Sequence, residues 1–199
     1  MATTRPDPAR RNERSRQAIL KAAFELCAER SYERTSVEAI AARAGVGKQT
    51  IYRWWPSKGA VVMEALNDYV GAASDFPDSG DVVADLRRQM TAVAELLSSP
   101  GFGPVYTGVI GAAQSDPALA EALVRDIIEP RMRACRTRLE RAREQGEVRP
   151  GADLEAAVEL LYGPIYHRLL LHTRPVSAEQ VPTVLELAFR GIGPDRSPA

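Results

Sequence analysis

"AGVGKQTIYRWWPSK", residues 44–58, holds both tryptophans of a 199-residue chain in which aromatic residues make up only 6%. Tyr52, Trp54 and Trp55 are interleaved there with Lys48, Gln49, Thr50, Arg53 and Lys58. Wound at about 100° per residue, Ile51 and Trp55 share one face of a short helix. Gln49, Tyr52 and Arg53 lie together on a side turned away from it, with Lys48 and Thr50 at its margins. Upstream, Val37, Ile40, Ala41 and Ala44 line one side of a helix expected over residues 36–44, and Thr35-x-x-Glu38 reads as a capping box at its start. Gly45 suits the left-handed conformation that ends a helix. Pro56 stops the helix expected over 48–55, and Ser57 is a cap for another reaching about residue 70. Two short helices around a glycine turn make a helix-turn-helix outline.

The outward residues are chemically suited to a duplex. Lysine and arginine attract phosphates, tyrosine and threonine hydroxyls bond phosphate oxygens, and glutamine bonds base edges such as adenine. Thr50 also offers a methyl to thymine. Trp54 falls between the two faces, and core rim and groove contact remain open for it.

"TSVEAIAARAGVGKQTIYRWWPSK", with its approach "ILKAAFELCAERSYERTS", resembles the DNA-binding signature of the tetracycline-repressor (TetR/AcrR) family of bacterial transcriptional regulators, in register from residue 14 to about 66. The resemblance implies an all-α protein. A three-helix head would place its third helix in the major groove of double-stranded DNA, and a larger helical ligand-binding and dimerisation domain would follow. Carried over by position, Lys48, Gln49, Thr50, Tyr52 and Trp54 match groove or phosphate contacts, and Thr35 or Ser36 and Lys58 match backbone contacts. Arg53 joins them from its place on the helical wheel. Ser31 stands where relatives usually have the helix-ending glycine, and Gly59 sits in the first turn of the fourth helix.

Charge is divided along the chain. Residues 1–58 carry 12 Lys and Arg against 6 Asp and Glu, leaving 14 against 20 for the remainder, although the whole chain is formally neutral. Such asymmetry fits one end meeting a polyanion. The basic residues before and at the start of the first helix (Arg5, Arg10, Arg11, Arg14 and Arg16) suit either a minor groove or a tail adding salt-sensitive attraction. No run approaches the ~18 consecutive apolar residues of a membrane span. The polar N-terminus lacks the apolar stretch of a secretory leader, and Cys27 and Cys135 read as reduced thiols, so a cytoplasmic protein is expected.

Helices are expected over residues 12–30 and then, beyond a turn-rich stretch near 71–81, over 81–98, 102–115, 117–146, 153–172 and 178–191. The domain reading is a basic arm over 1–11, a DNA-binding domain over 12–58, a connecting helix and linker over 59–75, and a regulatory and dimerisation domain over 76–199. In "RMRACRTRLERAR" the stripe Met132, Cys135, Leu139 and Ala142 is bordered by arginines whose stems cover apolar surface and whose heads reach water. "LEAAVELLYGPIYHRLLLH" is apolar on two sides, which predicts cover by its own domain and by a second copy. Leu160, Gly163, Tyr166, His167 and Leu170, with Leu185 and Phe189 of the last helix, are the expected dimer contacts. Family precedent places an effector cavity among the central helices. Met90, Val93, Leu97, Tyr106, Ile110, Ile128, Met132 and Tyr162 are the candidates, suiting a mostly apolar small molecule.

Enzymatic signatures are missing: no nucleophile elbow occurs, "GFGPVYTG" lacks phosphate-loop spacing, and His167 and His172 are a poor metal pair. No catalytic residue, metal or cofactor is expected. The expected function is a dimeric repressor on an inverted-repeat operator, released by its effector. An activator, a DNA-binding protein without small-molecule control, and a module whose head meets a protein partner are the competing readings.

Overall fold

In a computed structural model the protein is described over residues 8–70 and 76–194, with side chains from Asn12 onward in the first helix. Arg5 and the side chains of Arg10 and Arg11 lie outside the described residues, as do residues 71–75 of the turn-rich stretch. Among the described residues every regular element is helical.

The chain forms two compact units. One runs to Tyr69 and regains Pro104–Leu123; the other comprises Val70–Gly103 and everything from Val124 onward. In the first, α1 (Pro8–Arg30) begins earlier than expected, on a proline whose missing N–H costs nothing in a first turn. It ends at Ser31, which adopts φ 80 and returns its N–H to the Cys27 carbonyl at 3.0 Å. A serine therefore holds a left-handed position that glycine occupies without steric cost.

The helices α2 (Val37–Ala44), α3 (Lys48–Tyr52) and α4 (Lys58–Val70) follow. Ile19, Ala23, Leu26 and Cys27 of α1 are buried, as are Ile40 of α2, Ile51 of α3 and Val61, Val62 and Leu66 of α4. Phe24 stacks on Tyr69 with centroids 4.4 Å apart, fastening α1 to the end of α4. The α6 (Phe102–Ala113) and α7 (Pro117–Leu123) helices complete this unit from Pro104 onward. A Cβ on Gly108 would meet Tyr32 at ordinary van der Waals distance, and one on Gly59 would stand 2.9 Å from Leu119 Cδ1. Gly59, unhelpful to helicity, sits against the flexible end of the Leu119 side chain, which would have to shift to admit a Cβ.

In the second unit α5 (Val82–Ser98) packs with α8 (Glu129–Glu144), α9 (Leu154–Leu171) and α10 (Val181–Ile192). Asp81 and Asp153 cap α5 and α9 by accepting backbone N–H bonds. Leu86, Met90, Cys135, Leu139, Leu161, Ile165 and Leu185 are buried almost completely. The helix expected over 117–146 is interrupted: Val124–Ile128 winds as a π turn between α7 and α8.

Arg138 departs from the reading of arginine heads in water. It is 2% exposed, and so is Asp85 of α5. Arg138 Nε donates to Asp85 Oδ2 at 2.8 Å, and Nη2 lies 2.7 Å from the same oxygen. Asp85 also accepts from the Ser79 amide and hydroxyl, while Glu147 Oε2 accepts the Val82 N–H at the start of α5. Burial pushes the Asp85 carboxyl up, but the Ser79 and Arg138 bonds together outweigh it and hold the group below its ordinary value.

Candidate nucleic-acid interface

The recognition face depends on how α3 is held. Ser36 caps α2, its Oγ accepting the Ala39 N–H at 3.2 Å. Gly45 follows with φ 67 and ψ 33, and the Val46 N–H reaches back to the Ala41 carbonyl. This closes the turn so that α3 starts at once, on Gly47. Ile51 is fully buried and Trp55 is 4% exposed, so two side chains one turn apart pin α3 from below. Trp55 Nε1 donates to Glu64 Oε2 at 2.6 Å, and Arg16 Nε donates to Glu64 Oε1 at 2.7 Å. Glu64 thereby ties α1, α4 and the end of the recognition segment together. Sequence reasoning misses that clamp; a carboxylate on an otherwise apolar stretch of α4 is its only signal.

Gln49, Tyr52 and Arg53 are exposed as the helical wheel predicts, and so are Lys48 and Ser36, while Thr50 is half-buried. Arg53 lies past the last residue of α3, with its guanidinium 5.2 Å over the Trp54 ring. Trp54 is half-buried and meets Trp55 edge-on at 5.4 Å, which makes it the rim of the core and leaves one side toward solvent. Lys48 pairs with Glu38 and lies 5.6 Å from the Tyr52 ring centroid. The bond to Glu38 raises the lysine pKa, and the same bond lowers that of the carboxyl. A negative charge thus sits beside the face that would meet phosphates.

Three assignments change. Thr35 is 2% exposed, and its hydroxyl donates to the Ser31 carbonyl at 2.8 Å, so it is unavailable to a phosphate. The capping residue is accordingly Ser36, and the Thr35-to-Glu38 box is not formed. Lys58 turns inward: Nζ donates to the Tyr32 carbonyl at 2.8 Å and stands 4.0 Å over the Tyr32 ring. Its first role is to hold the α1–α2 turn. Arg16, read with the basic arm, is committed to Glu64.

The second unit holds a cavity of about 300 Å³ walled by Val93, Ile128, Met132, Val158, Tyr162 and Tyr166, with Gln89, Arg131 and Glu159 as its polar groups and Gly163 beside them. Of the residues expected at an effector site, Val93, Ile128, Met132 and Tyr162 line this cavity. Met90, Leu97, Tyr106 and Ile110 do not line it: Met90 and Leu97 are packed core, and α6 carries the other two. The Tyr162 hydroxyl donates to Gln89. Burial, followed by the neighbouring Cys135, raises the Tyr162 pKa well above its ordinary value; burial pushes the Cys135 thiol up to about 12. Both groups keep their protons at neutral pH, and Tyr162 meets the cavity as a neutral phenol whose proton is committed to Gln89.

Of the expected dimer residues, Leu160, Gly163, His167 and Leu170 are exposed, and Gly163 and the half-buried Tyr166 also border the cavity. Leu185 is 1% exposed inside its own unit, and Phe189 is half-buried. The exposed apolar groove runs between α9 and α10, where Ala156, Leu160 and Pro164 face Val184, Leu187, Ala188 and Gly191. Leu187, missed from the sequence, is 62% exposed. No cluster of three or more His, Cys, Asp or Glu suited to a metal occurs among the described residues, and no helix among them is long and apolar enough to cross a membrane.

An α3 pinned by Ile51 and Trp55, with Gln49, Tyr52 and Arg53 outward, defines the class as a helix-turn-helix DNA-binding regulator. Comparison with known proteins gives the family. Residues 19–65 match "Bacterial regulatory proteins, tetR family", and residues 76–188 match "Tetracyclin repressor-like, C-terminal domain". The chain belongs to the tetR family, whose members are transcriptional regulators and not enzymes. It is 37% identical over 182 residues to the uncharacterised regulator YdeS of Bacillus subtilis, covering 92% of this chain and 91% of that one. The DNA-binding transcriptional repressor TetR of Mycobacteroides abscessus is 28% identical, over 81% of this chain and 85% of the relative. Among solved structures, the TetR family transcription regulator SCO0332 is 37% identical with a TM-score of 0.75, covering 90% of this chain and 99% of its own.

Proposed function

We propose that the chain is a homodimeric repressor that reads an inverted-repeat operator and is released by a small, mostly apolar effector. The observation that carries the DNA reading is α3, which has its apolar residues pinned from below and leaves Gln49, Tyr52 and Arg53 to solvent. A two-fold pair of such helices suits successive major grooves about 34–36 Å apart. The groove between α9 and α10 supports pairing: Leu160 and Leu187 lie open, with Ala156, Ala188 and Gly191 small enough to let a second pair of helices approach. The cavity supports effector control, its aliphatic and tyrosine walls favouring an apolar body and its Gln89–Tyr162 pair one polar anchor. The repressor named in Mycobacteroides abscessus favours the sign of regulation. Occupancy that favours a different body conformation would weaken operator binding, and operator DNA would weaken the effector by the same factor.

Selection from a random duplex pool at physiological salt tests the reading. An inverted-repeat consensus is expected, blurred in Gln49→Ala and in Thr50→Ala; unchanged base preference in both variants would remove the base-contact assignment.

A further inference from the structure

The polar groups of the cavity differ in depth. Glu159 is exposed, and Arg131 is half-buried with its guanidinium already donating to the Ile127 carbonyl. Gln89 is 4% exposed and walls the same cavity from α5, one turn before Val93. Its two polar atoms have different fates. Oε1 accepts the Tyr162 hydroxyl. Nε2 has no hydrogen-bond partner among the described residues, yet it is not one of the unpartnered atoms sealed completely from the surface. Its N–H bonds therefore open onto the cavity that Gln89 lines.

A glutamine amide presents donors or acceptors according to which way round it is held, and here Tyr162 decides. The phenol has a single proton to give, and burial keeps that proton in place at neutral pH. The neighbouring Cys135 also keeps its proton, and a thiol is a poor acceptor beside an amide carbonyl. The phenol proton thus goes to Oε1. Turning the amide over would set Nε2 against the phenol and leave the phenol proton with no acceptor but sulfur, which a buried hydroxyl strongly resists.

We propose, on the reading of the cavity as the effector site, that it takes an apolar molecule bearing a carbonyl, and that Tyr162 sets this preference by holding the Gln89 amide with its N–H bonds toward the ligand. A ligand whose only polar group is a donor would meet those N–H bonds head-on and leave both sides unpaired. A ligand with no polar group would leave the amide unpaired in a dry wall.

Three rigid tricycles of nearly one size test this by equilibrium dialysis with the full chain at pH 7. Fluorenone offers only an acceptor, carbazole only a donor, and fluorene neither. Fluorenone is expected to bind about tenfold more tightly than fluorene, with carbazole the weakest. In Tyr162→Phe the amide is free to turn over, so carbazole should come within about threefold of fluorenone. In Gln89→Leu the donor is gone and the fluorenone advantage should vanish; Gln89→Met serves if leucine does not fold. Val93→Trp fills the cavity and should abolish binding of all three, with Val93→Phe as the smaller alternative.

Equal binding of the three by the parent, a fluorenone preference that survives loss of Gln89, or a parent-like order in Tyr162→Phe overturns the proposal. So does binding of none of them, or binding that persists in a folded, filled variant. The expected order without any change in operator affinity upholds the carbonyl preference and removes effector control alone.

Discussion

Replacing Arg138 by methionine exposes the energetics of the buried network. Asp85 would keep its Ser79 bonds but lose both guanidinium contacts, at 2.8 and 2.7 Å, while 2% exposed. Breaking a buried pair by removing one partner costs about 3–5 kcal/mol, because the remaining charge has neither water nor a counter-ion. For a domain of this size that lowers the melting temperature by roughly 6–20 °C.

The pH dependence carries the sign. In the parent the Asp85 pKa is depressed, so its contribution is complete above the unfolded value of about 3.9 and is lost as pH falls through the lower folded value. In Arg138→Met burial remains without the cation, and the Asp85 pKa rises above the unfolded value. The deficit should therefore be largest near pH 7 and shrink as pH falls and Asp85 takes a proton. Urea unfolding followed by circular dichroism at about pH 7 and pH 4.5 measures it. Arg138→Met/Asp85→Asn should recover more than half of the loss at neutral pH. A deficit below about 1 kcal/mol, or one equal at both pH values, would refute a buried, charged Asp85.

Glu38→Gln removes a carboxylate beside the recognition face and frees Lys48, so it should tighten binding to all duplexes alike; titration of operator and scrambled DNA at fixed salt checks this. Ser31→Gly should raise stability by about 1 kcal/mol, read by denaturant melting, since φ 80 there costs an L-residue and not glycine. Leu160→Glu/Leu187→Glu should give monomers in analytical ultracentrifugation while leaving the helical circular dichroism signal unchanged, because both side chains are already exposed.

Local chemistry written in consecutive residues is legible in the chain alone. The 3.6-residue period, Gly45 and the Ser57 cap place α2, α3 and α4, although α3 ends at Tyr52, short of the stop expected at Pro56, and the wheel separates Ile51 and Trp55 from Gln49, Tyr52 and Arg53. What fails is the fate of polar groups that find their partners inside the fold. Thr35, Lys58 and Arg138 have types that belong on a surface, and nothing in the local pattern says that each will be satisfied from within. Their partners are a carbonyl four residues back for Thr35, another 26 away for Lys58, and a carboxylate 53 away for Arg138. Glu64 is the same case, joining Arg16 and Trp55 across 48 and 9 residues.

The sequence by itself therefore determined the all-helical class, the helix-turn-helix and the identity of the outward face, because these depend on periodicity, caps and breakers that act within a turn or two. Tertiary structure alone decided which cations are spent inside, where the cavity opens and that residues 104–123 pack with the DNA-binding helices. Those outcomes depend on desolvation and close packing between segments far apart in the chain, where a polar group is buried only if a distant partner is brought within bonding distance.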